Sequence, residues 1–223
     1  MKRACLALVF AAALVRADSL EAVLGRIDQA ARTFKSLATD VHRVDYSSLF
    51  NESKPEDGTF KMLKRAKTGV VLLAEFRGAD ARKISLAGHT ATVYHPKANS
   101  ADEYDTRKFT KSADLLVLVG FGTSRADLEK KYTITLGGSE TIAATKTTRI
   151  DLVPKSKEER NFFNMVQLWV PENKGNPIQE KFLTGKESKD YNMFLFSNLQ
   201  INPSLPDSDF ELVLPPNVKV IKP

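Results

Sequence analysis

The sequence predicts a mostly β protein of the α+β type, built on a wide antiparallel sheet with one apolar face. In residues 58–76, apolar and polar side chains alternate on either side of a basic corner at 64–67, the period-two pattern of half-buried antiparallel strands. The later strand-like segments are mostly joined by short turns, whereas parallel pairing requires crossovers of a dozen or more residues. No convincing catalytic constellation accompanies this pattern, so the apolar face is the candidate working surface.

The first seventeen residues have the features of a secretory signal peptide. A basic start is followed by an apolar stretch at 4–15, too short to span a bilayer comfortably, and by a cleavage site ending in Ala17. An uncleaved anchor is the alternative. The one cysteine, Cys5, lies in this segment, so the mature chain would have no disulfide, no thiol nucleophile and no N-terminal cysteine to carry a lipid. We expect an exported, soluble protein from a bacterium.

Charge argues against a nucleic-acid partner. Removing Lys2, Arg3 and Arg16 with the leader lowers the formal net charge from +6 to +3, and the remaining basic residues are scattered among acidic ones. Residues 18–223 are numerous enough to bury one sizeable core, and no linker or repeat divides them. The sequence therefore predicts a single domain that does not bind nucleic acid.

An amphipathic helix is predicted to open the mature chain. Asp18 is placed to cap it, with Glu21 three residues on. Its apolar positions recur at helical spacing along one face: Leu20, Val23, Leu24, Ile27, Ala31 and Phe34. Strands are then predicted at 36–46, 60–65, 70–77, 83–86, 90–95, 132–136, 141–152, 163–170, 177–183, 191–198 and 210–214.

Turns and short helices are predicted between these strands. Residues 51–58 form a polar turn and residues 102–105 a solvated acidic turn. In 111–131 the alternation gives way to an apolar run, a Gly120-Phe121-Gly122 hinge and a polar helix capped by Thr123 or Ser124. This segment predicts two short helices, and 156–162 predicts a single helical turn.

Five short stretches occur in a characteristic order: a Phe-Lys-Ser step at 34–36, Gly-x-Phe-x-x-x-Lys-Arg at 58–65, a Leu/Val-rich segment at 113–119, Leu-Val-Pro at 152–154 and Phe-x-x-x-x-Pro-Pro-x-Val-x-Val at 210–220. Together with the order of the elements, they resemble the periplasmic lipoprotein carriers of the LolA and LolB type over nearly the whole mature chain. The resemblance implies a curved sheet forming an incomplete barrel, with a short helical lid over its concave apolar face.

The family's function supplies the expected partners. The resemblance implies a monomeric periplasmic carrier without a cofactor, which holds the acyl chains of lipoproteins or other lipids on their way to the outer membrane. An inner-membrane donor complex and an outer-membrane acceptor would be its partners. Shielding an acyl chain from water requires an apolar groove that can also open.

The apolar residues divide into a lid and a wall under this hypothesis. The lid residues are Leu115, Leu116, Leu118 and Val119. The wall residues are Phe60, Met62, Val70, Leu72, Phe76, Ile84, Leu86 and Val93. The alternative is that all of these residues are ordinary core.

Arg65 is the polar candidate that the resemblance implies. In the carriers an arginine at this place hydrogen-bonds the lid, and a guanidinium can satisfy several carbonyls at once. Here Ala66 replaces the proline that usually follows it. Strict alternation from Phe60 places Arg65 on the opposite face, so the lid-holding role requires a bulge near Leu63-Lys64.

Two other function classes remain open. The single tryptophan, Trp169, suggests a cavity unlike that of the Trp-rich carriers, so the domain could bind or sense another lipid or a glycolipid. A secreted hydrolase is the alternative from the enzymes, using His42, His89 or His95 with Ser47 or Ser48 and with Asp102 or Asp105. No nucleophile elbow, paired-histidine metal spacing or phosphate-binding glycine loop accompanies these residues, and we therefore expect no enzyme and no metal site.

Overall fold

The computed structural model describes residues 18–65, 69–107, 119–184 and 189–222. Over these residues the chain forms one twelve-stranded sheet with three α-helices. The helices are α1 (Leu20–Thr33), α2 (Arg125–Lys131) and α3 (Lys157–Arg160). The strands are β1 (Ser36–Ser47), β2 (Glu52–Arg65), β3 (Gly69–Phe76), β4 (Arg82–Ala87), β5 (Thr90–His95), β6 (Ser100–Asp105), β7 (Tyr132–Ile142), β8 (Thr145–Pro154), β9 (Met165–Pro171), β10 (Gln179–Leu183), β11 (Tyr191–Ile201) and β12 (Lys219–Ile221).

The sheet is curved and does not close. Its strand order is β12-β6-β5-β4-β3-β2-β1-β11-β10-β9-β8-β7, so β12 and β7 are the two edges. Every neighbouring pair is antiparallel except β12 and β6, which are parallel. The long central strand β1 pairs with β2 on one side and with β11 on the other. This is an incomplete barrel, which confirms the predicted fold class.

Helix α1 packs in the concave side of the sheet. Its buried residues Val23, Leu24, Ile27 and Ala31 are those that the helical periodicity predicts. They join a core cluster that includes side chains from both halves of the sheet. Among the described residues, none of the helices is long and apolar enough to cross a bilayer.

The cap of α1 is one residue later than expected. Ser19 is the N-cap, and its hydroxyl accepts a hydrogen bond from the Ala22 amide at 3.2 Å. Asp18 instead forms an ion pair with Arg26 and accepts a hydrogen bond from the Thr148 hydroxyl at 2.9 Å. Those contacts lower the pKa of Asp18 below its usual value, chiefly through the hydrogen bond from Arg26. The contact with β8 outweighs the local capping preference.

Two predicted turns prove to be strand. The polar turn at 51–58 is wrong beyond its first residue, because β2 begins at Glu52 and pairs with β1 along its length. Residues 52–57 pair with β1 but not with β3, so Pro55 lies where one side of the strand carries no ladder. The acidic turn at 102–105 is also wrong: it lies within β6, and Asp102 faces Val93 of β5.

The C-terminal segment crosses the outer face of the sheet. The strand predicted at 210–214 is wrong. Phe210 is the last residue of a 3-10 turn at Asp207–Phe210, and residues 211–214 form no strand. Asp209 pairs with Lys61 at 3.1 Å and Asp207 with Arg65 at 2.6 Å, while Phe210 is buried. The chain then adds β12 to the edge of the sheet.

The predicted short helices are partly confirmed. Helix α2 is capped by Ser124, whose hydroxyl accepts a hydrogen bond from the Asp127 amide, and Ser156 caps α3 in the same way. The first of the two helices predicted in 111–131 lies largely outside the described residues. The predicted strand at 141–152 is divided by a two-residue turn at Ala143-Ala144 between β7 and β8.

That turn provides a stability prediction. Ala143 and Ala144 have φ values of 44° and 62°, a left-handed conformation that costs a residue with a Cβ about 1–2 kcal/mol. Asn-Gly is the favoured pair for such a hairpin. We expect the Ala143→Asn/Ala144→Gly double variant to gain about 1 kcal/mol of stability, measured by urea unfolding. The control is Ala79→Gly, at an exposed turn position without a positive φ, which should lose stability. A loss of stability in both variants would contradict a strained left-handed conformation at Ala143 and Ala144.

Candidate functional site

A cavity of about 320 Å³ opens on the concave face of the sheet. Strands β2, β3 and β4 form one wall, and residues 119–123 with the start of β7 form the other. Most of the lining is apolar, and charged side chains stand at its rim. The lining residues are Phe34, Met62, Lys64, Val70, Leu72, Leu86, Val119, Phe121, Gly122, Thr123, Lys131, Tyr132 and Glu159.

Four of the eight wall residues predicted from the sequence line this cavity. They are Met62, Val70, Leu72 and Leu86. Val70 is 36% exposed although it is apolar, so part of the wall faces solvent. The strand alternation brings these four together because each lies on the concave face of its strand.

The other four lie elsewhere on the same face. Phe60, Phe76 and Ile84 are deeply buried in the core, where the rings of Phe60 and Phe76 meet edge to face at 5.8 Å. Val93 is half-buried and borders a second, polar cavity. The apolar face therefore serves as core at its centre and as cavity wall at one end.

Of the predicted lid, only Val119 belongs to the described residues. Val119 lines the cavity, whereas Leu115, Leu116 and Leu118 lie outside the part of the chain that the structure describes. Gly122, with φ of 67°, is held against Phe34: a Cβ there would lie 2.7 Å from a ring carbon. The ring of Phe121 meets that of Phe196 edge to face at 5.3 Å. Residues 119–122 are thus anchored on α1's end and on β11.

Arg65 lies on the face opposite the cavity. The pairings of β2 with β1 and β3 run without a register shift, so no bulge occurs near Leu63-Lys64. Alternation from Phe60 then places Lys64, not Arg65, on the cavity side. In the described part of the chain, the Arg65 guanidinium pairs with Asp207 of the C-terminal segment.

A fully buried carboxyl supports the loop that carries Val119 and Phe121. Glu180 of β10 is 0% exposed, and the Gly120 amide donates a long hydrogen bond of 3.4 Å to its Oε1. Burial raises the pKa of Glu180 well above its usual value, and the Gly120 hydrogen bond offsets only part of the effect. A Cβ on Gly120 would lie 2.5 Å from Pro177. The loop therefore approaches β10 at a glycine, next to a buried carboxyl whose pKa is raised.

Tyr132 is one of the polar residues of the cavity lining. It is 5% exposed, and burial raises the pKa of its hydroxyl, with smaller effects from Glu159 and Glu180. Tyr132 is therefore neutral at physiological pH. One side-chain oxygen of Glu159, Oε2, is buried without a hydrogen bond among the described residues.

The other end of the concave face is polar. A cavity of about 340 Å³ there is lined by Arg43, Asp45, Glu56, Asp80, Arg82, Val93, His95, Asp102 and Tyr104. Glu56 binds Arg82 with two hydrogen bonds of 2.8 and 2.9 Å and also contacts Arg43 at 3.4 Å. The Arg82 guanidinium stacks on Phe76 at 4.4 Å. This network covers the core with paired charges.

The residues considered for a hydrolase are not assembled as a catalytic group. His42 contacts Asp57 at 2.7 Å, His95 contacts Asp102 at 3.4 Å, and Ser48 donates a hydrogen bond to Asp190. No described serine hydroxyl is hydrogen-bonded to a histidine. The described residues also contain no group of three or more His, Cys, Asp or Glu side chains that could hold a metal ion.

Sequence reasoning missed the half of the cavity that does not come from β2–β4. Phe34, Phe121, Lys131, Tyr132 and Glu159 reach it from four different segments. The sequence pattern places Phe34 on the apolar face of α1 and Phe121 in a hinge. The sequence does place Lys131 at the end of a predicted helix. It does not indicate that this end of α2 lies at the cavity.

Comparison with family models finds no match, and neither does comparison with curated proteins. Solved structures share the fold. An uncharacterized conserved protein from Thermus thermophilus aligns at a TM-score of 0.57 and 10% identity, over 91% of this chain and 98% of that one. MucB aligns at a TM-score of 0.55 and 13% identity. The alignment covers 87% of this chain and 64% of MucB. MucB in the Pseudomonas aeruginosa MucA/MucB complex aligns at 0.50 and 11% identity, over 86% and 61%.

Further structural neighbours include a LolA superfamily protein from Nitrosomonas europaea, at a TM-score of 0.42 and 13% identity over 86% of this chain and 97% of the other. The matches at a TM-score of 0.50 or more show a shared fold, and the predicted incomplete barrel is confirmed at that level. Identities this low concern the fold alone, because one fold hosts many functions.

Proposed function

We propose that the protein is a periplasmic carrier, without covalent catalysis, that shields the acyl chains of lipoproteins or related lipids and delivers them towards the outer membrane. The observation that carries the proposal is the apolar cavity on the concave face. Its volume, about 320 Å³, lies in the range of sites that bind small ligands, and one of its walls is partly exposed.

The energetics favour acyl chains as ligands. Each methylene transferred from water contributes about 0.8 kcal/mol, so roughly ten buried methylenes contribute about 8 kcal/mol before the cost of association. That balance permits binding that is firm and reversible, as a carrier requires. The apolar wall supplies the contact surface, and the charged rim leaves room for a polar head.

The signal peptide predicted at 1–17 supports the proposed location. A cleaved signal peptide would export the chain, and Asp18 would become the first residue. In the folded chain, the Asp18 side chain forms an ion pair with Arg26 and accepts a hydrogen bond from Thr148. Cleavage after Ala17 thus leaves the structural role of Asp18 intact.

Blocking the cavity tests the proposal. Val70→Trp places a large ring at a cavity position that is 36% exposed, so the core need not rearrange. We expect its affinity for dansyl-undecanoic acid, measured by fluorescence titration, to fall at least about tenfold, or about 1.4 kcal/mol. Val220→Trp is the matched control, because Val220 is 42% exposed and lies on β12, away from the cavity.

The urea midpoint of both variants should equal that of the parent protein. Equal affinities in the two variants would place any acyl binding outside this cavity and contradict the proposal. Transfer of the bound probe to acceptor vesicles then separates a carrier from a lipid sensor, because a sensor retains its ligand while a carrier releases it to a membrane.

A further inference from the structure

Two lysines lie at the rim of the cavity. Lys64 on β2 and Lys131 at the end of α2 both line the cavity and are exposed. Among the described residues, neither ammonium group forms a salt bridge. They reach the rim from two different elements, one from each wall.

Two other basic side chains of β2 do form ion pairs. On the outer face, Lys61 pairs with Asp209 and Arg65 pairs with Asp207. The acidic residues of the C-terminal segment therefore neutralise the outer face of β2. On the cavity side of the same strand, Lys64 has no ion-pair partner among the described residues.

The other titratable groups of the lining leave a positive balance. Tyr132 is neutral because burial raises its pKa, and Glu159 contributes one carboxylate. Lys64, Lys131 and Glu159 together give a formal charge of +1 beside an apolar wall. Charges interact more strongly next to such a wall than in bulk water, since the local dielectric constant is lower.

We propose that the cavity selects acyl ligands that carry an anionic head, a carboxylate or a phosphate, and that Lys64 and Lys131 bind that head while the chain lies along Met62 and Leu72. The inference rests on the proposed function and adds the chemistry of the ligand to it. An ammonium group is a compact donor that suits either oxyanion as a point charge. A ligand of this class satisfies the charged rim and the apolar wall at once.

Ligands of one chain length and different heads provide the test. Dissociation constants are measured by calorimetry, below micelle-forming concentrations, for dodecanoate, dodecyl phosphate, monododecanoylglycerol and dodecyltrimethylammonium. We expect the two anions to bind at least about tenfold more tightly than the uncharged and cationic ligands. The ratio between dodecanoate and dodecyl phosphate identifies which anionic source is preferred.

Charge reversal locates the head. Lys131→Glu should weaken both anions about tenfold and leave monododecanoylglycerol within about twofold. Lys130→Glu makes the same change on the adjacent residue of α2, which does not line the cavity, and should leave all four ligands within about twofold. Lys64→Glu should repeat the result of Lys131→Glu from the opposite wall.

The outcomes separate the two proposals. Two results would overturn the anionic preference without affecting the proposed carrier function. One is tight binding that does not depend on the charge of the head, and the other is an equal loss of affinity in the Lys130 and Lys131 variants. Absence of binding by every ligand, including those that fit the rim, overturns the acyl-binding function itself.

Discussion

Replacing Glu56 by alanine is expected to destabilise the folded protein by about 3–5 kcal/mol. The Glu56 carboxylate forms ion pairs with both Arg43 and Arg82, which are 8% and 9% exposed. Both guanidiniums lie near the Phe76 ring, at 5.7 and 4.4 Å from its centre. Without Glu56, two largely buried positive charges lose a common partner above an aromatic core. Urea unfolding followed by tryptophan fluorescence would measure the loss.

The matched control is Glu75→Ala. Glu75 also bridges strands, to Lys83 at 3.0 Å, but both side chains are about two-fifths exposed, and we expect a loss below about 1 kcal/mol. Glu56→Gln keeps acceptor geometry without the charge and should fall between the two variants. Similar losses for Glu56→Ala and Glu75→Ala would show that the network contributes no more than a surface ion pair.

Glu180→Gln is expected to flatten the decline in stability that the parent protein shows in the window from about pH 4.5 upwards. In the folded protein, burial holds the pKa of Glu180 well above its ordinary value of 4.5, while the unfolded chain loses the proton near that value. The unfolded state therefore binds fewer protons across this window, and stability falls as pH rises towards the folded pKa. Glutamine has no proton to lose, so the variant should be flatter with pH.

The groups that face Glu180 do not obscure this comparison. Tyr132 has a raised pKa and Glu159 is present in both proteins, so their contributions cancel in the difference curve. Urea midpoints measured at several pH values give that curve. Glu158→Gln is the control: this exposed carboxyl has a lowered pKa and should leave the profile unchanged. Parallel curves for the parent protein and Glu180→Gln would contradict a protonated Glu180 in the fold.

Alternation predicted most strands of the sheet, but it missed β6, β12 and the first part of β2. Pro55, Asp57 and Gly58 have the composition of a turn, yet they belong to β2. Residues 52–57 pair only with β1, so a proline does not interrupt a second ladder there. The three-residue strand β12 is too short for any periodicity, and its partner β6 lies more than a hundred residues earlier in the chain.

The candidate site was predictable only by face. Met62 and Phe60 lie two residues apart on the same face of β2, yet one lines the cavity and the other is core. The difference depends on what covers each residue, which is set by α1 and by residues 119–123. For the same reason the family pattern pointed to Arg65, whereas the regular register of β2 places Lys64 at the cavity.

Native mass spectrometry of the mature protein, purified from a bacterial periplasm, is the decisive test of acyl binding. We expect a chain that begins at Asp18 and carries a stoichiometric acylated ligand, which extraction then identifies. A protein that is empty and also takes up no fluorescent fatty-acyl probe would exclude a carrier of acyl chains, because the apolar cavity would then be a feature of core packing alone.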